Sequence, residues 1–242
     1  MTTEIRLRPF WNYFGGKWQI APHYPMPEHA TIVEPFAGAA GYSMHYHDRN
    51  VILLDKYPVI TGIWSYLIKV SSEEILAIPE VFHVDELPGW VPPEARWLVG
   101  FCMNNATTTP CKQLSAGCLV NYKPTVLRGW SPKRRELVAR QVQYIRHWKV
   151  VECGYADYSE NPLATWFVDP PYQISGIHYK HSSKDIDYED LGKWCQTRRG
   201  QVIVCESSTA NWLPFVPFVK TRGYSNKGNT DSIEGIWLGD NP

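Results

Sequence analysis

Short apolar segments bounded by turn residues recur along the chain, and amphipathic segments lie between them. The apolar segments predict strands at residues 31–33, 51–54, 150–152, 165–168, 201–205 and 215–220. The amphipathic segments predict helices at residues 41–47, 57–70, 92–104, 131–148 and 188–197. Strands that alternate with helices are typical of an α/β fold, so we expect a mostly parallel sheet with helices on both faces.

Two of the predicted helices have readable starts. Ser131 followed by Pro132 has the residue types of an N-cap and a first helical position. Asp187 can cap the next helix, with Asp190 in its first turn. The alternation breaks between residues 88 and 130, where Pro, Thr, Asn and Cys are mixed without a strand or helix period. We therefore predict a frame formed by residues 1–87 and 131–242, with a small inserted region at residues 88–130.

Composition excludes several classes of protein. Of the 242 residues, 44% are hydrophobic and 20% are charged, as in globular proteins. No apolar run approaches the roughly 20 residues that a membrane span needs, and the first ten residues lack a signal-peptide pattern. We therefore expect a cytoplasmic protein with no membrane partner, and a monomer is favoured. The six cysteines do not form the close pairs of zinc sites, so no metal is expected.

Charge is unevenly distributed along a chain whose net charge is zero. Residues 112–149 contain nine basic residues and a single acidic one, Glu136. Such a stretch is either a solvated helix surface or a face that binds phosphates. The residues predicted to contact nucleic acid are Asn105, Lys112, Arg128, Lys133, Arg134 and Arg135, together with Tyr179 from a later loop.

A turn rich in small residues follows the first predicted strand. Residues 33–41 read VEPFAGAAG. Glycines such as Gly38 and Gly41 let a ligand approach the backbone closely, and a helix start offers unpaired N–H groups to an anion. The second strand ends in Asp55, about 20 residues later, where a carboxylate can accept hydrogen bonds from ribose hydroxyls. Together the two features indicate a nucleoside ligand.

The most specific motif is the run TWFVDPPY at residues 165–172. An apolar strand stops there at a carboxylate, two prolines and an aromatic ring. Prolines fix the backbone, so Asp169 and Tyr172 are expected to be held at the carboxyl edge of the sheet, where ligands bind in open α/β folds.

Three motifs in this order resemble the Dam-type DNA adenine methyltransferases of bacteria and their phages. They are YFGGK at residues 13–17, the turn at residues 33–41, and DPPY at residues 169–172. The resemblance covers roughly residues 8–70 and 148–238. It implies a Rossmann-like methyltransferase fold and an enzyme that methylates adenine in double-stranded DNA with S-adenosylmethionine as cofactor.

The resemblance also implies roles for individual residues. Tyr13, Lys17, Phe36, Gly38 and Gly41 would surround the methionine part of S-adenosylmethionine. Asp55 would hold its ribose and Asp157 its adenine. Asp169 and the Pro170 carbonyl would grip the adenine amino group, and Tyr172 would stack on a base flipped out of the duplex. Residues 201–208 resemble a later strand, and Glu234 lies where the family has its final hairpin.

The inserted region departs from the family. Dam-type enzymes usually carry an asparagine-arginine and a phenylalanine-asparagine-glycine pattern there, whereas residues 101–110 read FCMNNATTTP. No base-reading residues are carried over, so the recognition sequence and biological role stay open. Two alternatives stay open as well. One is a methyltransferase of the same fold acting on DNA cytosine, RNA adenine or a protein glutamine, and the other is a catalytically silent module that binds DNA or protein.

Overall fold

Seven strands form a single sheet in the computed structural model, which describes residues 5–225 and 228–241. The strands are β1 (Thr31–Glu34), β2 (Asn50–Asp55), β3 (Lys149–Glu152), β4 (Thr165–Val168), β5 (Gly200–Ser207), β6 (Val216–Ser225) and β7 (Gly228–Asn241). All six predicted strands are therefore confirmed. The seventh, β7, contains Glu234 and pairs with β6 in the hairpin that the resemblance implied.

The strand order is β3-β2-β1-β4-β5-β7-β6. Strands β1 to β5 pair in parallel, and β7 is antiparallel to both of its neighbours, β5 and β6. The order reverses between β1 and β4, which creates the crevice at the carboxyl ends of the strands where Rossmann-like folds bind ligands. The expected Rossmann-like α/β fold is confirmed by this topology.

The described helices are α1 (Pro58–Lys69), α2 (Ser72–Ala77), α3 (Pro93–Met103), α4 (Ala116–Val120), α5 (Pro132–Gln141) and α6 (Tyr188–Gln196). The predicted caps of α5 and α6 are confirmed, because Ser131 accepts from Arg134 N at 3.2 Å and Asp187 accepts from Asp190 N at 3.0 Å.

Two helix predictions were too long, and two helices were missed. Residues 41–47 form only a short 3-10 helix, Ser43–Tyr46, and the segment predicted at 131–148 leaves α-helical geometry after Gln141. The missed helices, α2 and α4, have six and five residues. Helices this short carry too little hydrophobic period to be detected in a sequence.

Alternating residues of the inner strands enter two separate apolar clusters. Ile32, Leu53 and Phe167 pack on one face together with α1, α3 and α5. Their neighbours Val33 and Leu54 pack on the other face with α6. The sheet is thus covered on both sides, because successive side chains of a strand point to opposite faces.

The segment 88–130 is only partly separate from the frame. Helix α3 packs against α1, and Leu98 and Phe101 are fully buried in the main cluster. Helix α4 instead exposes Leu119 and Val120. A distinct recognition region therefore stays a prediction. Residues 104–130 are better candidates for it than α3, because α3 is part of the core. Within the described residues no helix is long and apolar enough to cross a membrane.

Candidate active site

Acidic residues stand at the carboxyl ends of the parallel strands. Glu34 ends β1 and Asp55 ends β2, while Asp157 and Asp169 follow β3 and β4. Parallel strands bring these ends to one edge of the sheet, and all four residues line a single cavity of about 310 Å³. That volume lies at the lower end of the range for small-molecule sites.

The turn after β1 is held in a conformation that suits glycine. Gly38 has φ +44°, and a Cβ there would lie 2.9 Å from the Tyr13 ring. Trp64 Nε1 donates to the Gly38 carbonyl at 2.9 Å, and Ala37 N donates to Leu54 O at 2.9 Å. Two hydrogen bonds therefore fix the turn, and the Tyr13 ring packs directly against Gly38. Gly38 cannot take a side chain without displacing that ring.

Asp55 supports the same turn. Its Oδ2 accepts from Gly38 N at 3.0 Å and its Oδ1 from Tyr57 N at 2.9 Å. Burial raises the pKa of Asp55 to about 6, and these two hydrogen bonds oppose the shift. Each carboxylate oxygen accepts more than one hydrogen bond, so Asp55 keeps capacity for a hydroxyl donor.

Asp169 is paired with Lys17. Lys17 Nζ lies 2.8 Å from Asp169 Oδ1 and 3.6 Å from Glu234 Oε1, and it donates to Gly15 O at 3.1 Å. Burial alone would lower the pKa of Lys17, but the two carboxylates outweigh it and raise that pKa, so Lys17 remains a cation. The contact with Asp169 is a short ion pair that favours the carboxylate form of that residue.

The Asp169 carboxylate retains its accepting capacity. Oδ1 is buried against Lys17 Nζ, whereas no hydrogen bond among the described residues reaches Oδ2, and the side chain keeps 19% of its surface exposed at the cavity wall. Burial raises the pKa of Asp169 to about 6, with Lys17 opposing the shift. At neutral pH the carboxylate is therefore mostly ionised and acts as a hydrogen-bond acceptor. Buried acceptors are normally paired with a donor, so a bound ligand that donates a hydrogen bond would suit this position.

Tyr172 and Pro170 lie behind the cavity wall. Pro170 is buried, and Pro171 lines the cavity in its place. The Tyr172 hydroxyl donates to Glu234 Oε1, and Lys17 Nζ lies 4.8 Å from the centroid of its ring. Burial raises the pKa of Tyr172 well above its usual value, so the hydroxyl stays protonated. Stacking of a base on Tyr172 stays a prediction, and it requires the ring to be uncovered.

The residues predicted to bind the cofactor are brought together. The same cavity wall includes Tyr13, Lys17, Phe36, Gly38, Gly41, Asp55 and Asp157. Gly41 packs closely against the Lys17 backbone. A Cβ at Gly41 would lie only 2.9 Å from Lys17 N, so the position has no room for a side chain. The geometry thus joins the glycine turn and Asp55 to Asp169 in one space, as a transfer between two bound groups requires.

Tyr179 is a wall residue of this cavity and does not lie in an open loop. Its hydroxyl donates to Phe14 O at 3.2 Å, and its ring packs 6.1 Å from that of Tyr13. The predicted contact between Tyr179 and a DNA strand is therefore possible only if that strand enters the cavity.

The prediction of phosphate contacts is wrong for Arg134. That side chain is 4% exposed, and its guanidinium donates to Pro9 O, Leu127 O and Asn12 Oδ1. Arg135 is similarly engaged, with Nη1 donating to Ile78 O at 3.0 Å. A helix with three consecutive basic residues must turn some of them inward, and here only Lys133 is exposed.

Of the other predicted contacts, Lys112 and Asn105 are exposed and Arg128 is half-buried. Asn105 Oδ1 accepts from Asn12 Nδ2 at 3.0 Å. These three residues remain candidates for nucleic-acid contacts, and their role stays a prediction.

Two acidic site residues were not singled out from the sequence. Glu34 is 2% exposed, accepts from Ser43 N at 2.7 Å, and has its pKa raised to about 8 by burial. Its position at the end of the first predicted strand could have marked Glu34 as a candidate site residue. For Glu234 the sequence indicated only a position in the final hairpin. In the structure its Oε1 accepts from Tyr24 OH at 3.1 Å and lies 3.6 Å from Lys17 Nζ. Its place in the site depends on the pairing of β7 with β5, which no local pattern reveals.

Comparison with known proteins leaves the site to be interpreted from its geometry. No protein-family model matches the chain, and a search of curated proteins finds no match. Among solved structures, the chain is similar to a SAM-dependent methyltransferase from Neisseria gonorrhoeae, with 13% identity and a TM-score of 0.35. The match covers 93% of this chain and 68% of that one. The fold assignment accordingly rests on strand order and register.

Proposed function

We propose that the protein transfers a methyl group from S-adenosylmethionine to the N6 amino group of adenine in DNA. A single observation carries the proposal: one cavity joins the turn at Gly38 and the carboxylate of Asp55 to the carboxylate of Asp169, which Lys17 holds at the cavity wall. The DPPY and YFGGK motifs, in the order seen in Dam-type enzymes, support adenine in DNA as the substrate.

The residues present fit S-adenosylmethionine. Asp55 has remaining acceptor capacity for ribose hydroxyls. The rings of Phe36 and Tyr155 pack 5.7 Å apart in the wall beside Asp157, which gives an apolar surface with one acceptor for a purine. The tight turn at Gly38 brings backbone close to the cavity. When bound, the cofactor supplies a sulfonium methyl as electrophile, so no metal is needed for the transfer.

The chain contributes acceptors for the amino group. An adenine amino nitrogen is a weak nucleophile because its lone pair is delocalised into the ring. In our proposal Asp169 accepts one N–H and the Pro170 carbonyl accepts the other, which requires that carbonyl to be uncovered because Pro170 lies behind the cavity wall. The two contacts favour a tetrahedral nitrogen with its lone pair directed at the methyl. With the cofactor bound, the amino nitrogen would take the methyl group from sulfur, the carbon–sulfur electrons would stay on sulfur, and the Asp169 carboxylate would take up the proton that the nitrogen releases and pass it to solvent.

Charge in the site favours this step. Positive charge develops on the amino nitrogen, and the ionised Asp169 at the cavity wall stabilises it. Lys17 biases Asp169 towards the carboxylate form, because the nearby cation opposes the pKa increase caused by burial. Glu234 in turn holds Lys17 and the Tyr172 hydroxyl in place.

Double-stranded DNA is supported by exposed basic residues of the inserted region and of α5. Lys112, Lys123, Lys133 and Arg140 are all exposed. Contacts between such residues and phosphates offset the cost of flipping a base, which amounts to a few kcal/mol.

The direct test is to incubate the purified protein with DNA and isotopically methyl-labelled S-adenosylmethionine, digest the DNA to nucleosides, and identify the labelled product by mass spectrometry. We expect label in N6-methyl-2′-deoxyadenosine from the DNA. Parallel reactions with RNA and with DNA lacking adenine separate the alternatives. Label in methylcytosine, label only in RNA, or no label in any nucleic acid would each contradict the proposal.

A further inference from the structure

Two large apolar side chains are exposed on the loop that follows the DPPY motif. Ile174 is 68% exposed and Ile177 is 52% exposed. Single exposed apolar residues are ordinary on protein surfaces. These two differ because they lie three residues apart on a loop whose two ends, Pro171 and Tyr179, both line the cavity. The loop therefore presents apolar surface to solvent next to the candidate active site.

The loop is firmly held. Gly176 N donates to Tyr172 O at 2.7 Å, and Gln173 N donates to Glu206 Oε2 at 3.0 Å. A Cβ on Gly176 would lie 2.6 Å from the Pro171 backbone, so the loop folds back tightly on the motif.

The far end of the loop is held as well. Thr108 Oγ1 donates to His178 O at 2.9 Å, which ties the loop to the inserted region, and Tyr179 OH donates to Phe14 O. These hydrogen bonds hold the loop in a conformation that keeps both isoleucines exposed beside the cavity.

Basic side chains lie just beyond the loop. Lys180 and Lys184 follow it in the sequence, with Asp185 and Asp187 directly after them. Lys180 and His181 also line the cavity. A lysine at the cavity wall beside a pair of exposed isoleucines combines the two features by which proteins kink or open a duplex, namely phosphate contacts and apolar wedges inserted between base steps.

We propose that Ile174 and Ile177 form an apolar wedge that enters the base stack of duplex DNA and fills the space left when the target adenine enters the cavity. This inference rests on the proposed function. It assigns the loop at residues 173–178 to duplex opening, a step that Asp169 and Pro170 do not perform. The wedge is needed only where a base must leave a stack, because a single strand offers an unstacked base directly.

The test compares the parent protein with the double variant Ile174→Ala/Ile177→Ala on two substrates, a duplex and the matching single strand. Both side chains are largely exposed, so the truncations are expected to leave folding intact. We expect the ratio of kcat/KM on duplex to kcat/KM on single strand to fall by about tenfold or more, since the wedge offsets part of the unstacking cost. A duplex with an abasic site opposite the target should restore the ratio. The matched control is Leu163→Ala, since Leu163 is 53% exposed and precedes β4, at the opposite edge of the sheet.

The outcomes separate the two proposals. If the parent methylates both substrates and the double variant keeps the parent ratio, the wedge is refuted while the proposed function stands. An equal loss on both substrates, or a fall in the ratio for Leu163→Ala as well, also refutes the wedge. If the parent methylates neither substrate, the proposed function fails and the wedge fails with it. A fall in the ratio confined to the double variant and reversed by the abasic duplex supports the wedge.

Discussion

Lys17 Nζ lies 2.8 Å from Asp169 Oδ1, and this pair connects the first and last of the three sequence motifs across the sheet edge. The contact explains why a lysine at the end of YFGGK accompanies an aspartate at the start of DPPY. A buried carboxylate without a partner would hold its proton, whereas a neighbouring cation favours the ionised form. In the proposed function, this pair keeps Asp169 ionised so that it can accept hydrogen bonds from an amino group.

Replacement of Asp169 separates catalysis from cofactor binding. In Asp169→Ala we expect methyl transfer to fall by about 100-fold or more, because the acceptor that stabilises the developing charge is lost. Calorimetry should show that S-adenosylmethionine still binds, since Asp55, Asp157 and the Gly38 turn are unchanged. Equal transfer rates in variant and parent would exclude the mechanism.

The rate should depend on the ionisation of Asp169. Its pKa is raised to about 6 by burial, and only the carboxylate accepts hydrogen bonds with both oxygens. We therefore expect kcat at saturating cofactor to rise with pH through about 6 and then level off. In Lys17→Met the midpoint should move to higher pH, because the cation that opposes the burial effect is gone. A midpoint that stays fixed in that variant would remove Lys17 from this role.

Stability should fall as pH rises because of Glu34. Burial raises its pKa in the folded protein from an ordinary 4.5 to about 8. Between those values the unfolded chain releases a proton that the folded protein keeps, so the free energy of unfolding decreases with pH, by at most about 1.4 kcal/mol per pH unit.

Glu34→Gln is the matched test, since the amide oxygen can still accept from Ser43 N. Chemical denaturation at pH 5 and pH 8 should show a smaller loss of stability in the variant than in the parent. The loss will not vanish, because burial raises the pKa of Asp55 and Asp169 as well. The same pH dependence in both proteins would show that Glu34 does not titrate in this range.

Neighbouring basic residues of α5 should behave differently. Arg134→Ala removes hydrogen bonds to Pro9, Asn12 and Leu127 and leaves buried carbonyls unpaired, so we expect about 2–4 kcal/mol of lost stability in urea unfolding. Lys133→Ala should change stability by less than about 0.5 kcal/mol, because Lys133 is exposed.

Lys133→Ala should instead change DNA binding. We expect the slope of log K against log salt concentration to decrease by about one if Lys133 contacts a phosphate. Lys149→Ala is a control of like charge, because Lys149 is also exposed but begins β3, at the amino edge of the sheet. An unchanged slope for Lys133→Ala would remove α5 from the DNA interface.

The strands and part of the cavity wall could be predicted from local patterns in the sequence. Buried strands such as β4 are apolar runs, and the candidate site residues Asp55 and Asp169 stand directly at strand ends. Other wall residues, such as Tyr13 and Asp157, were indicated only by the family resemblance. The orientation of Arg134 could not be predicted, since its burial depends on carbonyls more than a hundred residues away, such as Pro9 O. The role of Glu234 could not be predicted for the same reason, because it lies beside Lys17 only through the pairing of β5 with β7.

The central claim is that Asp169 and the Pro170 carbonyl grip an adenine amino group in the cavity that also holds the cofactor. It is tested most directly by a crystal structure of the protein with a non-reactive S-adenosylmethionine analogue and an adenine-containing duplex. We predict a flipped adenine whose N6 lies within hydrogen-bond distance of both acceptors, with the analogue between Gly38 and Asp55. An adenine that stays stacked in the duplex, or an N6 bonded to other groups while Asp169 contacts only Lys17, would contradict the account.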